Sequence, residues 1–320
     1  LNKLKKNIVL TSFLMIMLFV AAGCKSEEVK GYEDELSFQE EVRLPIVEWP
    51  GVTQKTYVIS EVLDNLGYDT TIDNYSLPVI LEGMQAEDLD AFTGTWFQTW
   101  GTPLHESLEN GEVIHISTQL DETNYGPAVP KYVFEAGITS LDNLYENSDK
   151  FNYTYYGLEA GNDGNQLMID AFDQNIYNLG GWDIIETNTA AMLTEMQQKI
   201  EQGEWVVFSG WEPHWMNVVL EMEYLDDPKG IWGEDEEVGT IVRRGLKDDD
   251  SNLYKFFSQF DINNEIQNEW IYEYSKNERD PEIVAKEWVE SNLDLVKLWV
   301  DGMYDINGEN AQEVIKKAYK

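Results

Sequence analysis

From Glu48 onward, helical periods alternate with short strand-like runs, and this alternation limits the fold more than any other feature of the chain. Val58, Ile59, Val62, Leu63 and Leu66 share one helical face that ends at Gly67, and residues 69–72 then read as a strand. Leu77, Ile80, Leu81 and Met84 mark a second helix, followed by the strand-like LDAFTG that leads to Trp96. The pattern continues with strands at 113–117, 153–157, 182–186 and 205–208. Helices are expected from an N-cap at Ser140 through Tyr145, over 165–179 and over 189–202. Such alternation predicts an α/β protein with mostly parallel sheets. The last third differs: 251–275 and 280–301 read as helices, with Phe256, Phe257, Phe260, Ile266, Trp270, Trp288 and Trp299 as packing residues. No short-period repeat is present, which excludes a surface protein built from short aromatic repeats.

The N-terminal stretch has the layout of an export signal. Lys3, Lys5 and Lys6 precede an apolar run from Ile8 to Val20, and Ala21-Ala22-Gly23-Cys24 forms a small-residue cleavage site. The apolar run falls short of the ~20 residues that a membrane span needs. Residues 1–23 are therefore expected to be a lipoprotein signal peptide, and Cys24, the only cysteine, to carry the lipid that anchors the protein outside the cell membrane. Residues 24–42 are charged, lack a sustained apolar period and are expected to form a flexible tether.

Composition removes several function classes. The net charge is −38 with no basic stripe, so nucleic acid is excluded as a partner. His105, His115 and His214 are scattered and have no cysteine neighbours, so neither a metal site nor a cofactor is expected. The glycines of GLEAGNDGN lack the spacing and context of a dinucleotide fingerprint.

The segment SGWEPHWMN, residues 209–217, follows a strand-like run and places Trp211 and Trp215 around Pro213 and His214. GTWFQTW follows another such run, and in open α/β sheets ligands sit beyond the carboxyl ends of strands. Tryptophans in such turns await a ligand that completes their burial. A quaternary ammonium suits them, because it donates no hydrogen bond and is recognised by aromatic faces at ~0.5–2 kcal/mol each.

These residues carry a resemblance. The lipoprotein-like signal, the turn Gly210-Trp211-Glu212-Pro213-His214-Trp215, the DAFTGTW segment and VEWPGVTQKTYVISEVLDNLGY resemble substrate-binding proteins of glycine betaine/choline ABC importers. The similarity extends from Glu48 to the C-terminus. It implies a two-lobed, type II periplasmic-binding-protein-like fold, with 43–128 and 232–320 forming one lobe and 129–231 the other. It implies ABC permease and ATPase subunits as partners, and a quaternary ammonium held in an aromatic cage. By position, the cage residues are Trp49, Trp96, Tyr125 and Trp211, with a polar contact from Asn162. Two departures matter. The glycine-rich turn holds no tryptophan, and the acidic residue that choline-binding relatives carry two positions after the first cage tryptophan is replaced by Gly51. The N–H groups of Gly51 and Val52, with His214 as a charge-assisted contact, suit a carboxylate, so glycine betaine, proline betaine or carnitine is expected ahead of choline.

Other readings are weighed against this one. Tyr132 is a rival for the role of Tyr125; Trp205, Trp270, Trp288 and Trp299 read as core, Trp215 as lobe packing, and Trp100 and Trp182 have no assigned role. A secreted carbohydrate-active enzyme or carbohydrate-binding protein also uses tryptophan platforms. As an enzyme it needs two carboxylates across one cleft, for which Asp90 and Glu212 are the nearest candidates.

Overall fold

The structure, a computed structural model, describes residues 38–233 and 236–320. The signal-like segment, Cys24 and most of the expected tether lie outside the described residues. Strand β1 (Glu41–Ile46) begins inside the stretch expected to be tether. Val42 and Leu44 are fully buried, and that alternation with Glu41 and Arg43 is a strand signal the charged context masks. Helix α1 (Pro50–Asn65) follows, and β2 (Asp69–Asn74) pairs in parallel with β1, completing a βαβ unit. Pro50 suits the first turn of α1, and the helix stops at Gly67, whose φ of 92° only glycine adopts without strain.

The larger sheet has seven strands. These are β3 (Ala91–Trp96), β4 (Val113–Pro130), β5 (Thr154–Tyr156), β6 (Asp183–Ile185), β7 (Phe208–Glu212), β8 (Met222–Tyr224) and β9 (Glu236–Arg243). Their order is β3-β9-β4-β7-β5-β6, with β8 also on β4. The parallel expectation holds for β1 with β2 and for β5 with β6 and β7. It fails for β4, which runs antiparallel to β9 along its first half and to β7 and β8 along its second. The reason is that β4 spans 18 residues and its neighbours return alongside it, where the sequence showed only its first five residues as a strand.

Other boundaries also move. The strand expected at 205–208 begins at Phe208 and continues through Glu212, so Trp211 lies in a strand and the turn starts at Pro213. Ser140 caps a 3₁₀ turn, Leu141–Asn143, through a capping box instead of a helix through Tyr145. The helix expected over 165–179 runs Asp163–Asp173, ended by the left-handed Asn175, Tyr177 and Asn178. The stretch 251–275 divides into Ser251–Gln259, Asn264–Ile271 and a π-helical turn Tyr272–Lys276. The stretch 280–301 divides at Asn292 into Pro281–Ser291 and Leu293–Trp299.

Buried apolar residues form separate cores. Two clusters draw their buried members from residues up to Leu120 and from Val238 onward. Two others draw theirs from between Ala128 and Trp232. Trp270, Trp288 and Trp299 are buried in the first set, with Trp288 stacked on Trp299 at 5.7 Å. Trp100 packs edge-on against Phe92, and Trp182 is buried with its indole N–H donating to Ser148 Oγ. Trp205 packs partly buried against the second set beneath the Lys150 ammonium.

Asp90 is fully buried between two arginines, accepting from Arg243 Nε at 2.8 Å and Arg43 Nε at 2.9 Å. Burial pushes its pKa up, but hydrogen bonds from Arg43 and Arg243 outweigh burial and hold it below the usual carboxylate value. Asp90→Asn removes the fully buried carboxylate that Arg43 and Arg243 share, leaving Arg243 only the more exposed Asp249 and Glu87 as charged partners, and should destabilise the fold by about 3–5 kcal/mol in urea unfolding. Because the folded pKa is depressed, the native Asp90 contribution is present above the unfolded value of about 3.9 and is lost as pH falls through the folded one. The unmodified protein should therefore show a steeper loss of stability below pH ~4 than the Asn variant.

Candidate functional site

Four aromatic side chains from four separate elements line one cavity of about 40 Å³: Trp49, Trp96, Tyr125 and Trp211. On the same measure a single water needs ~10–15 Å³, so the space suits a small compact molecule. Trp49 is the N-cap residue of α1, and Trp96 is the last residue of β3. Tyr125 lies on β4 directly opposite Trp211 on β7, so strand register places these two rings. Trp96 meets Tyr125 at 5.3 Å with the planes 57° apart, and Tyr125 meets Trp211 edge-on at 6.5 Å and 87°. Rings at such angles form walls instead of a stack.

Hydrogen bonds hold the walls. Trp49 Nε1 donates to Glu159 Oε1 at 2.9 Å, and Tyr125 Oη donates to Asn162 Oδ1 at 3.0 Å. The same Oδ1 accepts from Asn165 N, so the Asn162 carbonyl caps the helix Asp163–Asp173 and fixes Tyr125 together. Asn162 also lines the cavity. A Cβ on Gly164 would lie 2.3 Å from Tyr125 Oη, which explains a glycine in the EAGNDGN turn by close approach. Burial raises the pKa of Glu159, and burial carries Asp163 up to about 7, with Thr99 Oγ1 donating to it at 3.0 Å.

Gly51 and Val52 also line the cavity, in the first turn of α1. The N-cap Trp49 makes no side-chain cap hydrogen bond there, and the start of a helix is where anions are favoured. His214 is placed differently from expectation. It lies outside the cavity lining, buried between Trp211 at 4.9 Å and Trp215 at 5.0 Å. Its Nδ1 accepts from Met216 N at 3.1 Å, and burial pushes its pKa down to about 3. A neutral, enclosed ring makes no charge-assisted contact; it steadies Trp211. Trp215 donates from Nε1 to Ser275 Oγ at 3.1 Å and carries Lys276 over its ring.

Tyr132 lies outside the cavity lining, hydrogen-bonded through its hydroxyl to Glu204 O. Asp90 is committed to its arginines, and Glu212 is exposed on β7 outside the cavity lining, so the two carboxylates do not face each other across it. Sequence reasoning missed Lys55 and Gln267, both buried in the cavity wall, and Trp232, which packs edge-on against Tyr125 at 5.1 Å. A signal for Lys55 existed. Val52, Lys55, Ile59, Val62 and Leu66 follow 3-4-3-4 spacing, so a lysine occupies a position on the apolar stripe. Gln267 likewise shares a buried face with Trp270 and Ile271.

The sequence model of one protein family, described as OpuAC, the substrate binding domain of ABC-type glycine betaine transport system, matches residues 40–291. The glycine betaine/carnitine transport binding protein GbuC of Listeria monocytogenes serotype 1/2a (strain 10403S) is 33% identical over 172 residues, which are 54% of this chain and 57% of that protein. Among solved structures, an ABC-transporter choline binding protein in complex with choline superposes with a TM-score of 0.85 at 27% identity, covering 88% of this chain and 98% of that one. The glycine betaine, L-proline ABC transporter binding protein ProX from Borrelia burgdorferi gives 0.78 at 26% identity, covering 86% and 99%. The fold is thus the α/β type II binding-protein fold.

The His214 environment sets a pH expectation. Its folded pKa lies below the unfolded value of about 6.5, so its contribution to stability is full above that value and declines as pH falls toward the folded one. At pH 5 imidazole ¹⁵N shifts in the folded protein should report a neutral ring protonated on Nε2. A doubly protonated His214 at that pH contradicts the buried placement.

Proposed function

The chain belongs to the family of substrate-binding domains of ABC-type glycine betaine transport systems, and from that premise we propose that it captures a carboxylate-bearing quaternary ammonium, glycine betaine or a close analogue, ahead of choline. It is a binding protein, not an enzyme: the extracytoplasmic substrate-binding component of a quaternary ammonium importer. The observation that carries the ligand reading is the convergence of Trp49, Trp96, Tyr125 and Trp211 on one cavity beside the start of α1. The rings supply π-faces on several sides of a methylated ammonium. The N–H groups of Gly51 and Val52 supply donors for a carboxylate at the other end of a short ligand. Asn162 fixes Tyr125, and His214 backs Trp211.

Choline is the second reading, favoured by the likeness to the choline-bound structure. Against it stands Gly51, which has no side-chain acceptor for a hydroxyl. Proline betaine and carnitine share both features of glycine betaine and belong to the same reading. Anchoring through lipid on Cys24, and delivery to permease and ATPase subunits, complete the proposal. The separate hydrophobic cores support a division close to one lobe of 43–128 with 232–320 and another of 129–231, with Ala128 and Trp232 packing on the side of the second.

Two measurements test these proposals. In calorimetry the protein should bind glycine betaine more tightly than choline, and Trp211→Ala should weaken binding by at least ~1–2 kcal/mol. Trp211→Phe should retain more affinity than Trp211→Leu, which separates a π-face from apolar area; tighter choline binding overturns the carboxylate reading and leaves the cage intact. Small-angle scattering should show a smaller radius of gyration at saturating glycine betaine, and an unchanged one removes lobe closure.

A further inference from the structure

Lys55 is 1% exposed and lies in the cavity wall. It stands one turn after Gly51 on the same face of α1, and helical side chains lean toward the N-terminus. Its side chain shares that face with the turn that holds Gly51 and Val52, and the three residues line the same cavity. Of its three donors one is used, with Nζ donating to Thr93 O at 3.0 Å. Among the described residues it has no carboxylate partner, and burial alone lowers its pKa to about 7. A buried ammonium without a counter-ion is costly, and a leucine or methionine at this stripe position would avoid that cost. Gln267 adds a second donor at the same place: its Nε2 lies 2.7 Å from where a Cβ on Gly51 would stand.

We propose that Lys55 is a specificity-determining residue whose Nζ is the counter-ion for the carboxylate of the captured ligand, with Gln267 contacting the same end. This rests on the aromatic-cage reading and extends it from the shape of the ligand to its charge. A zwitterion satisfies both ends at once, its methylated head against the rings and its carboxylate against Lys55 and the start of α1. Choline brings a second cation into the cavity and no anion, so it leaves the ammonium of Lys55 uncompensated. The wall therefore selects by charge among ligands that share one head group.

Calorimetric titration of glycine betaine and of choline into the unmodified protein, Lys55→Met and Lys55→Gln tests the proposal. Methionine keeps the volume without the charge, and glutamine keeps a donor for the Thr93 carbonyl, which guards against a variant that loses the fold for want of that bond. A charge-assisted hydrogen bond is worth roughly tenfold or more in affinity, so both variants should lose at least that factor for glycine betaine. Choline binding should stay within about threefold or tighten, since a repelling charge has gone. Equal weakening of both ligands, or unchanged glycine betaine binding in both variants, overturns the role of Lys55 and leaves the cage standing. Failure of the unmodified protein to bind either ligand overturns the cage reading and this one together.

Discussion

The register of β4 against its neighbours is the constraint on which the site depends. One strand of 18 residues is paired with β9 in its first half and with β7 and β8 in its second, so it runs from one set of hydrophobic cores to the other without a break. Tyr125 lies in the second half, opposite Trp211, and packs against the second set of cores, while Trp96 packs against clusters of both sets. A shift of one residue in this pairing would turn Tyr125 to the other face of the sheet and remove a wall. The cage is thus a consequence of strand pairing before it is a matter of side-chain choice.

The same pairing explains why two tryptophans near residue 213 are tolerable. Trp211 is 7% exposed because it belongs to β7, and the turn that follows holds Pro213 and leads to His214, which packs against both tryptophans. The ring lines the cavity and also packs edge-on against a neutral imidazole. A charged imidazole there would sit in an apolar enclosure among indoles, and burial prevents it. Support of this kind keeps an aromatic wall in position without spending the wall's own face.

Much of this was legible from residue patterns, and the misses have physical causes. Helix α1 and the helix Thr189–Glu201 were visible because each carries an apolar period and a clear stop, and β2 because it follows the stop at Gly67. The strand length of β4 was hidden because its remainder from Gln119, QLDETNYGPAVP, carries acids, Gly126 and two prolines that read as loop. The parallel expectation followed from local alternation, which says nothing about a strand that pairs with partners far along the chain. The aromatic members of the site were named from motifs. Lys55 and Gln267 were not, because a polar residue on an apolar stripe reads as an exception unless burial is known.

The overall charge of −38 puts the cavity's electrostatics in context. A strongly acidic surface draws cations of every kind, choline and metal ions as much as a betaine, so it provides concentration without discrimination. Discrimination must come from groups that the bulk charge does not resemble. The rings answer to the methylated head, which carries diffuse positive charge and no donor. The other end is opposite in kind: a helix start and a buried lysine gather positive potential within an acidic protein. Because Lys55 is buried, its interactions are less screened than those at the surface, and burial opposes its charged form in the absence of an anion. On the proposed role of Lys55, a ligand with opposite charges at its two ends would relieve that cost, and a ligand with a cation alone would not.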